Sequence, residues 1–177
     1  MPRTVVLTRD IASRLDNLAL LAEETDGCLF YRQLGDYCPI DYLFMMGIGD
    51  EGHVRQQSDR VQVANKFFER NNDYKCVMFH THSTGTISRH GNYFATHFSR
   101  QDIDEFKRQL GFDRDYIGML VTPKTKLLYG IDSPSLAVVE SLPGYVQRSR
   151  AVDIAINKIA RELGCNMKRF QGRVGGI

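Results

Sequence analysis

Segments with helical spacing alternate with short apolar runs along the chain, and this alternation limits the fold more than any other feature. Residues 4–7 read as a strand, and Thr8 is placed to cap a helix. In that helix Ile11, Leu15, Leu18 and Leu21 or Ala22 recur on one face, with an end expected near Glu23 or Glu24. Strands are expected at 28–31 and 41–48, separated by the turn residues Gly35, Asp36 and Pro39. After Ser58, the spacing of Val61, Ala64, Phe67 and Phe68 predicts a second helix ending near Asn71 and Asn72. Residues 74–79 form an apolar strand that runs directly into His80. The glycines and hydroxyls of 83–98 read as a loop, and beyond Ser99 a helix is expected with Ile103, Phe106 and Leu110 inward. Strands at 116–122 and 126–131 flank the Pro123-Lys124-Thr125 turn, and a last helix over 150–163 stops at Gly164. There is no internal repeat. Such alternation buries a sheet against helices in an α/β or α+β sandwich.

A chain of 177 residues is long enough for one core, so one domain is expected over 1–170, with a frayed tail at 171–177. Lys and Arg exceed Asp and Glu only by 23 to 21, an excess too small to call for nucleic acid as a partner. No run approaches the roughly 20 apolar residues of a membrane span. Charges interrupt the first residues too often for the core of a signal peptide, so a cytoplasmic protein is expected. Cys28, Cys38, Cys76 and Cys165 contain no CxxC pair and are expected to be reduced and mostly buried.

The chemistry concentrates in one stretch. Of five histidines, His80, His82, His90 and His97 fall within 18 consecutive positions. Side chains alternate along a strand, so His80 and His82 project to one side and Thr81 to the other, which lets two imidazoles reach one ion. An exposed pair at a strand end is the other reading of an isolated HxH. Asp102 is the candidate third ligand, and two histidines with one carboxylate make a common catalytic zinc set that leaves a fourth position for water. Ser99-Arg100-Gln101-Asp102 also has the pattern of a helix capping box. The two readings are compatible, because a capped helix start would hold Asp102 rigidly. His90 and His97 are the alternatives to Asp102, and otherwise solvated loop residues.

His80-x-His82 after an apolar strand, followed by Ser99-x-x-Asp102, resembles the JAMM motif of MPN-domain (Mov34/PAD-1-like) zinc metalloproteases. That motif also has an upstream glutamate in an E-x-x-G-x-L setting, which Glu24-Thr25-Asp26-Gly27-Cys28-Leu29 matches. The resemblance spans the first helix to about Ile131. It implies a mixed, curved β-sheet flanked by α-helices, related in topology to cytidine deaminases. It also implies zinc held by His80, His82 and Asp102, Glu24 as general base, and Ser99 as hydrogen-bond donor to the tetrahedral oxyanion. Two features depart from the family pattern. Ser83 follows the second histidine where proline is common, and 16 residues, 83–98, separate the histidines from Ser99, an expanded loop. That loop is expected to shape substrate access or to be a decorative surface insertion.

The resemblance further implies hydrolysis of peptide or isopeptide bonds at the C-terminus of ubiquitin-like modifiers, with a modifier conjugate as protein substrate. A non-catalytic MPN-type scaffold is one alternative. Another is a zinc-stabilised interaction module closed by His80, His82, His97 and a thiolate such as Cys76. A zinc deaminase needs H-x-E and P-C-x-x-C, and neither is present. Met45, Met46, Phe67 and Phe68 are assigned to the core, with a contact to a second copy or an MPN-type partner as the other reading.

Overall fold

The computed structural model describes residues 2–50 and 53–167. The elements run in the order β1 (Thr4–Thr8), α1 (Arg9–Ala19), β2 (Thr25–Arg32), β3 (Tyr37–Asp50), β4 (His53–Gln56), α2 (Ser58–Arg70), β5 (Tyr74–Thr81) and α3 (Thr84–His90). A 3₁₀ turn (Asn92–Ala95), α4 (Arg100–Phe112), β6 (Ile117–Val121), β7 (Lys126–Tyr129), β8 (Ser135–Val139) and α5 (Tyr145–Glu162) complete them. The strands form one mixed sheet in the order β7-β6-β5-β2-β3-β1-β8, with β4 paired to the far end of β3. The pairs β5–β6, β1–β3 and β1–β8 are parallel and the others antiparallel.

The sheet curves because β3 changes partner along its length. Residues 37–39 pair with β1, whereas Ile40 to Ile48 pair with β2. Register shifts at Asp26/Gly27 and Phe30/Tyr31 add to the bend, as bulges do. Gly27 sits at the first shift, where a β-carbon would stand 2.2 Å from the Phe44 carbonyl oxygen. Only glycine allows that approach.

Period-two alternation sorts the strand side chains onto two faces. On one, Leu29, Tyr31, Leu43, Met45, Val77 and Phe79 pack against Ile11, Leu15 and Leu18 of α1. On the other, Cys28, Phe30, Phe44 and Met46 pack against α2 and α5 through Val63, Phe67, Val152 and Ile156. Met45, Met46 and Phe67 are buried, and Phe68 is packed against the second cluster, which agrees with their assignment to the core. The described cysteines are free thiols, two buried and two half-buried. No helix among the described residues is long and apolar enough to cross a membrane.

Several sequence expectations are corrected. The first helix ends at Ala19, not near Glu24, because the Leu20 and Leu21 carbonyls accept hydrogen bonds from the Thr84 hydroxyl. The stretch 83–98 is not simply a loop. Ser83 caps α3 by accepting the Thr86 N–H, and Gly91, at φ 97°, ends it. The strand Ser135–Val139 was not expected, β4 likewise, and the last helix starts at Tyr145. The tail 171–177 lies outside the described residues.

Candidate metal centre

His80 is the penultimate residue of β5, and His82 continues the strand's line by donating its N–H to the Val121 carbonyl on β6 at 3.0 Å. Thr81 points the opposite way and is fully buried, where its hydroxyl accepts the Thr25 N–H at 2.9 Å. The two imidazoles therefore share one side, 5.3 Å apart between ring centroids.

Asp102 arrives from above on the first turn of α4. Ser99 and Asp102 form a complete capping box: the Ser99 Oγ accepts the Asp102 N–H at 3.1 Å, and Asp102 Oδ2 accepts the Ser99 N–H at 2.6 Å. The same carboxylate faces both histidines, with Oδ1 3.0 Å from His80 Nε2 and Oδ2 3.2 Å from His82 Nε2. One residue serves both the cap and the cluster.

What lets α4 come this close is Phe106, one turn further on. Its ring lies among His80, Phe98, Tyr116 and Tyr129 and rests directly on Gly118 of β6. A β-carbon at Gly118 would stand 2.5 Å from Phe106 Cε1.

The donor set fits a divalent cation. His82 Nδ1 lies 3.0 Å from the Phe94 carbonyl oxygen, which can only accept, so Nδ1 carries the proton and the neutral ring presents a bare lone pair at Nε2. His80 Nε2 is buried and faces Asp102 Oδ1 at 3.0 Å. One ligand atom from each of His80, His82 and Asp102 lies within 4.8 Å of the others. The electrostatics agree. Burial pushes the Asp102 carboxyl up, but hydrogen bonds with the two imidazoles and with Ser99 outweigh it and hold the group far below the usual carboxylate range. Burial lowers the proton affinity of His82, yet Asp102, the Phe94 carbonyl and Glu24 together raise it above the ordinary value. The cluster calls for positive charge.

Glu24 lies in the turn between α1 and β2, 6% exposed, near enough for its charge to act on His82 but outside the three-residue group. Its Oε1 accepts the Thr86 hydroxyl at 2.6 Å. Asp26, on the strand beside His80, is also buried; its Oδ2 accepts from Gln56 Nε2 at 2.8 Å. Burial raises the Asp26 carboxyl above its usual range against the opposing effects of Gln56 and His80.

The five residues singled out from the sequence are thus neighbours in space, and the remaining histidines of the stretch go elsewhere. His97 stacks on Tyr93 with centroids 4.3 Å apart, and His90 packs against Phe94. Cys76 lies two strand periods before His80, packed with the second core cluster. Sequence reasoning missed the contributions of Thr86 and Phe94, because a hydroxyl and a backbone carbonyl inside a stretch with the composition of a loop carry no recognisable spacing.

No family model matches this chain, and no curated protein matches it. Among solved structures, the chain is similar to the solution structure of protein DSY2949 from Desulfitobacterium hafniense, with 17% sequence identity, a TM-score of 0.49, and coverage of 78% of this chain and 94% of that one.

Proposed function

We propose that the chain is a JAMM-type zinc metallopeptidase that hydrolyses peptide or isopeptide bonds, with conjugates of ubiquitin-like modifiers as its substrate class. The observation that carries this reading is the convergence of two imidazoles and one capped carboxylate beside a buried, separate glutamate. A scaffold has no use for the glutamate. The zinc-stabilised module loses support as well, since Cys76 and His97 lie outside the ligand group.

In this reading His80, His82 and Asp102 would hold zinc, which would supply a Lewis acid and lower the pKa of water toward neutrality. Glu24 takes a proton from the attacking water as its oxygen bonds to the substrate carbonyl carbon. Ser99 Oγ already accepts the Asp102 N–H, which leaves its own proton to donate to the carbonyl oxygen as negative charge develops there. When the C–N bond breaks, Glu24 returns the proton to the departing nitrogen.

Glu24→Gln and His82→Ala test this with a fluorogenic peptide containing a Gly-Gly–Lys isopeptide bond. Glu24→Gln should retain zinc and lose hydrolysis by about 10²-fold or more, the scale of general acid–base catalysis. His82→Ala should lose both zinc and hydrolysis. Full activity in Glu24→Gln would remove Glu24 from the proton-transfer role.

A further inference from the structure

The stretch 83–98 reaches the site at two points, each aimed at a different functional group. Thr86, 2% exposed, donates its hydroxyl to Glu24 Oε1 at 2.6 Å. The Phe94 carbonyl accepts from His82 Nδ1 at 3.0 Å, and the Phe94 ring packs on the same imidazole at 5.3 Å. Neither group belongs to the strands or the helix that carry the five motif residues.

The stretch is itself fastened to the framework. Ser83, fully buried, donates its hydroxyl to the Ala22 carbonyl at 2.8 Å, and Thr84 donates its N–H and hydroxyl to the Leu21 carbonyl. These bonds hold the turn that leads into Glu24. At the other end Thr122, at the end of β6, donates its hydroxyl to the Ala95 carbonyl at 2.7 Å, next to Phe94. Ala95 is fully buried. A decorative insertion would keep its contacts to itself. Here Ser83, Thr122 and both site contacts are buried or half-buried, while Thr84 is exposed, and each of these bonds joins the stretch to a residue outside it.

We propose that residues 83–98 are an orienting clasp for the site. Thr86 is the positioning residue that fixes the Glu24 carboxylate, and the Phe94 carbonyl fixes the tautomer and ring plane of His82. Hydrogen bonds of this kind set the direction of a ligand or base without touching substrate. The Thr86 half rests on the hydrolytic reading above, whereas the Phe94 half requires only that His82 binds a metal.

The tests keep the two apart. In wild-type protein loaded with zinc, the buried Thr86 hydroxyl should give a slowly exchanging proton resonance in NMR, close in space to the Glu24 side chain. Its absence would overturn the Thr86 assignment whether or not any substrate is cut. Removing zinc with a chelator should speed amide exchange over residues 92–97 by about tenfold or more while leaving α5 unchanged, because His82 links the ion to Phe94. Equal exchange with and without zinc would overturn the Phe94 coupling. Thr86→Val should keep its zinc and lower kcat on the isopeptide probe about tenfold with KM little changed, and Thr86→Ser should recover it. Wild-type kcat in Thr86→Val, or no recovery in Thr86→Ser, would show that Thr86 only packs. A zinc-loaded wild type that cuts no probe, yet passes both substrate-free tests, would count against the hydrolytic reading and leave the clasp standing.

Discussion

One face of β5 and its continuation carries residues 76, 78, 80 and 82, and its two halves are built on different principles. Cys76 and Met78 pack into the cluster under α2 and α5, where Cys28 Sγ sits 3.3 Å from Met78 Sδ and four aromatic rings crowd around Phe30. His80 and His82 lie under α4 and the 83–98 clasp, tied by short polar contacts to Asp102 and Phe94. The apolar half is held by non-directional contacts that tolerate exchange at constant volume. The polar half depends on direction. A displacement that the sulfur cluster absorbs would separate lone pairs that must meet at one point.

Two substitutions of similar small size sharpen this contrast. Gly118→Ala adds one methyl on β6 beneath α4, where it meets a Phe106 ring already enclosed by four others. Overpacking of this kind costs about 1–3 kcal/mol. Because Phe106 and Asp102 share α4, zinc content should also fall, as elemental analysis after dialysis would show. Met78→Leu changes side-chain shape at nearly constant volume in the apolar half, at a cost below about 1.5 kcal/mol in chemical denaturation. Its zinc content should match the wild type. Zinc loss from Met78→Leu, or none from Gly118→Ala, would break the comparison.

A third effect lies outside both halves. Arg3 grips Asp132 through Nε at 2.8 Å and Nη2 at 2.9 Å, joining the start of β1 to the turn before β8. Hydrogen bonds from the guanidinium outweigh partial burial and hold the Asp132 carboxyl down to about 2. A carboxyl whose folded-state pKa is depressed contributes stability above its unfolded value near 4, and that contribution disappears as the pH falls through about 2. Denaturation of wild type and Asp132→Asn should therefore converge between pH 4 and 2 as far as this pair is concerned. A constant difference across that window would contradict the assignment.

What the sequence made legible follows from the same contrast. The apolar run before His80 and the alternation through His82 are local signals, so the strand and the shared side of the imidazoles could be read directly. Ser99-x-x-Asp102 was legible as a cap, and the structure shows the cap and the convergence on both histidines in one carboxylate. The clasp was not legible because Ser83 and Gly91 serve as helix boundaries while having the composition of a loop. The end of α1 depends on Thr84, more than sixty positions away, and β8 is fixed by parallel pairing with β1 across most of the chain. Such long-range partners leave no trace in a local window.

The central claim is that Asp102 is a metal ligand as well as a cap, and zinc content measured by elemental analysis separates the two roles. Wild type and Ser99→Ala, which removes the cap hydroxyl but not the carboxylate, should each retain about one zinc per chain after dialysis against a weak chelator, and Asp102→Ala should retain far less. A wild type without zinc, or equal zinc in wild type and Asp102→Ala, would contradict the account.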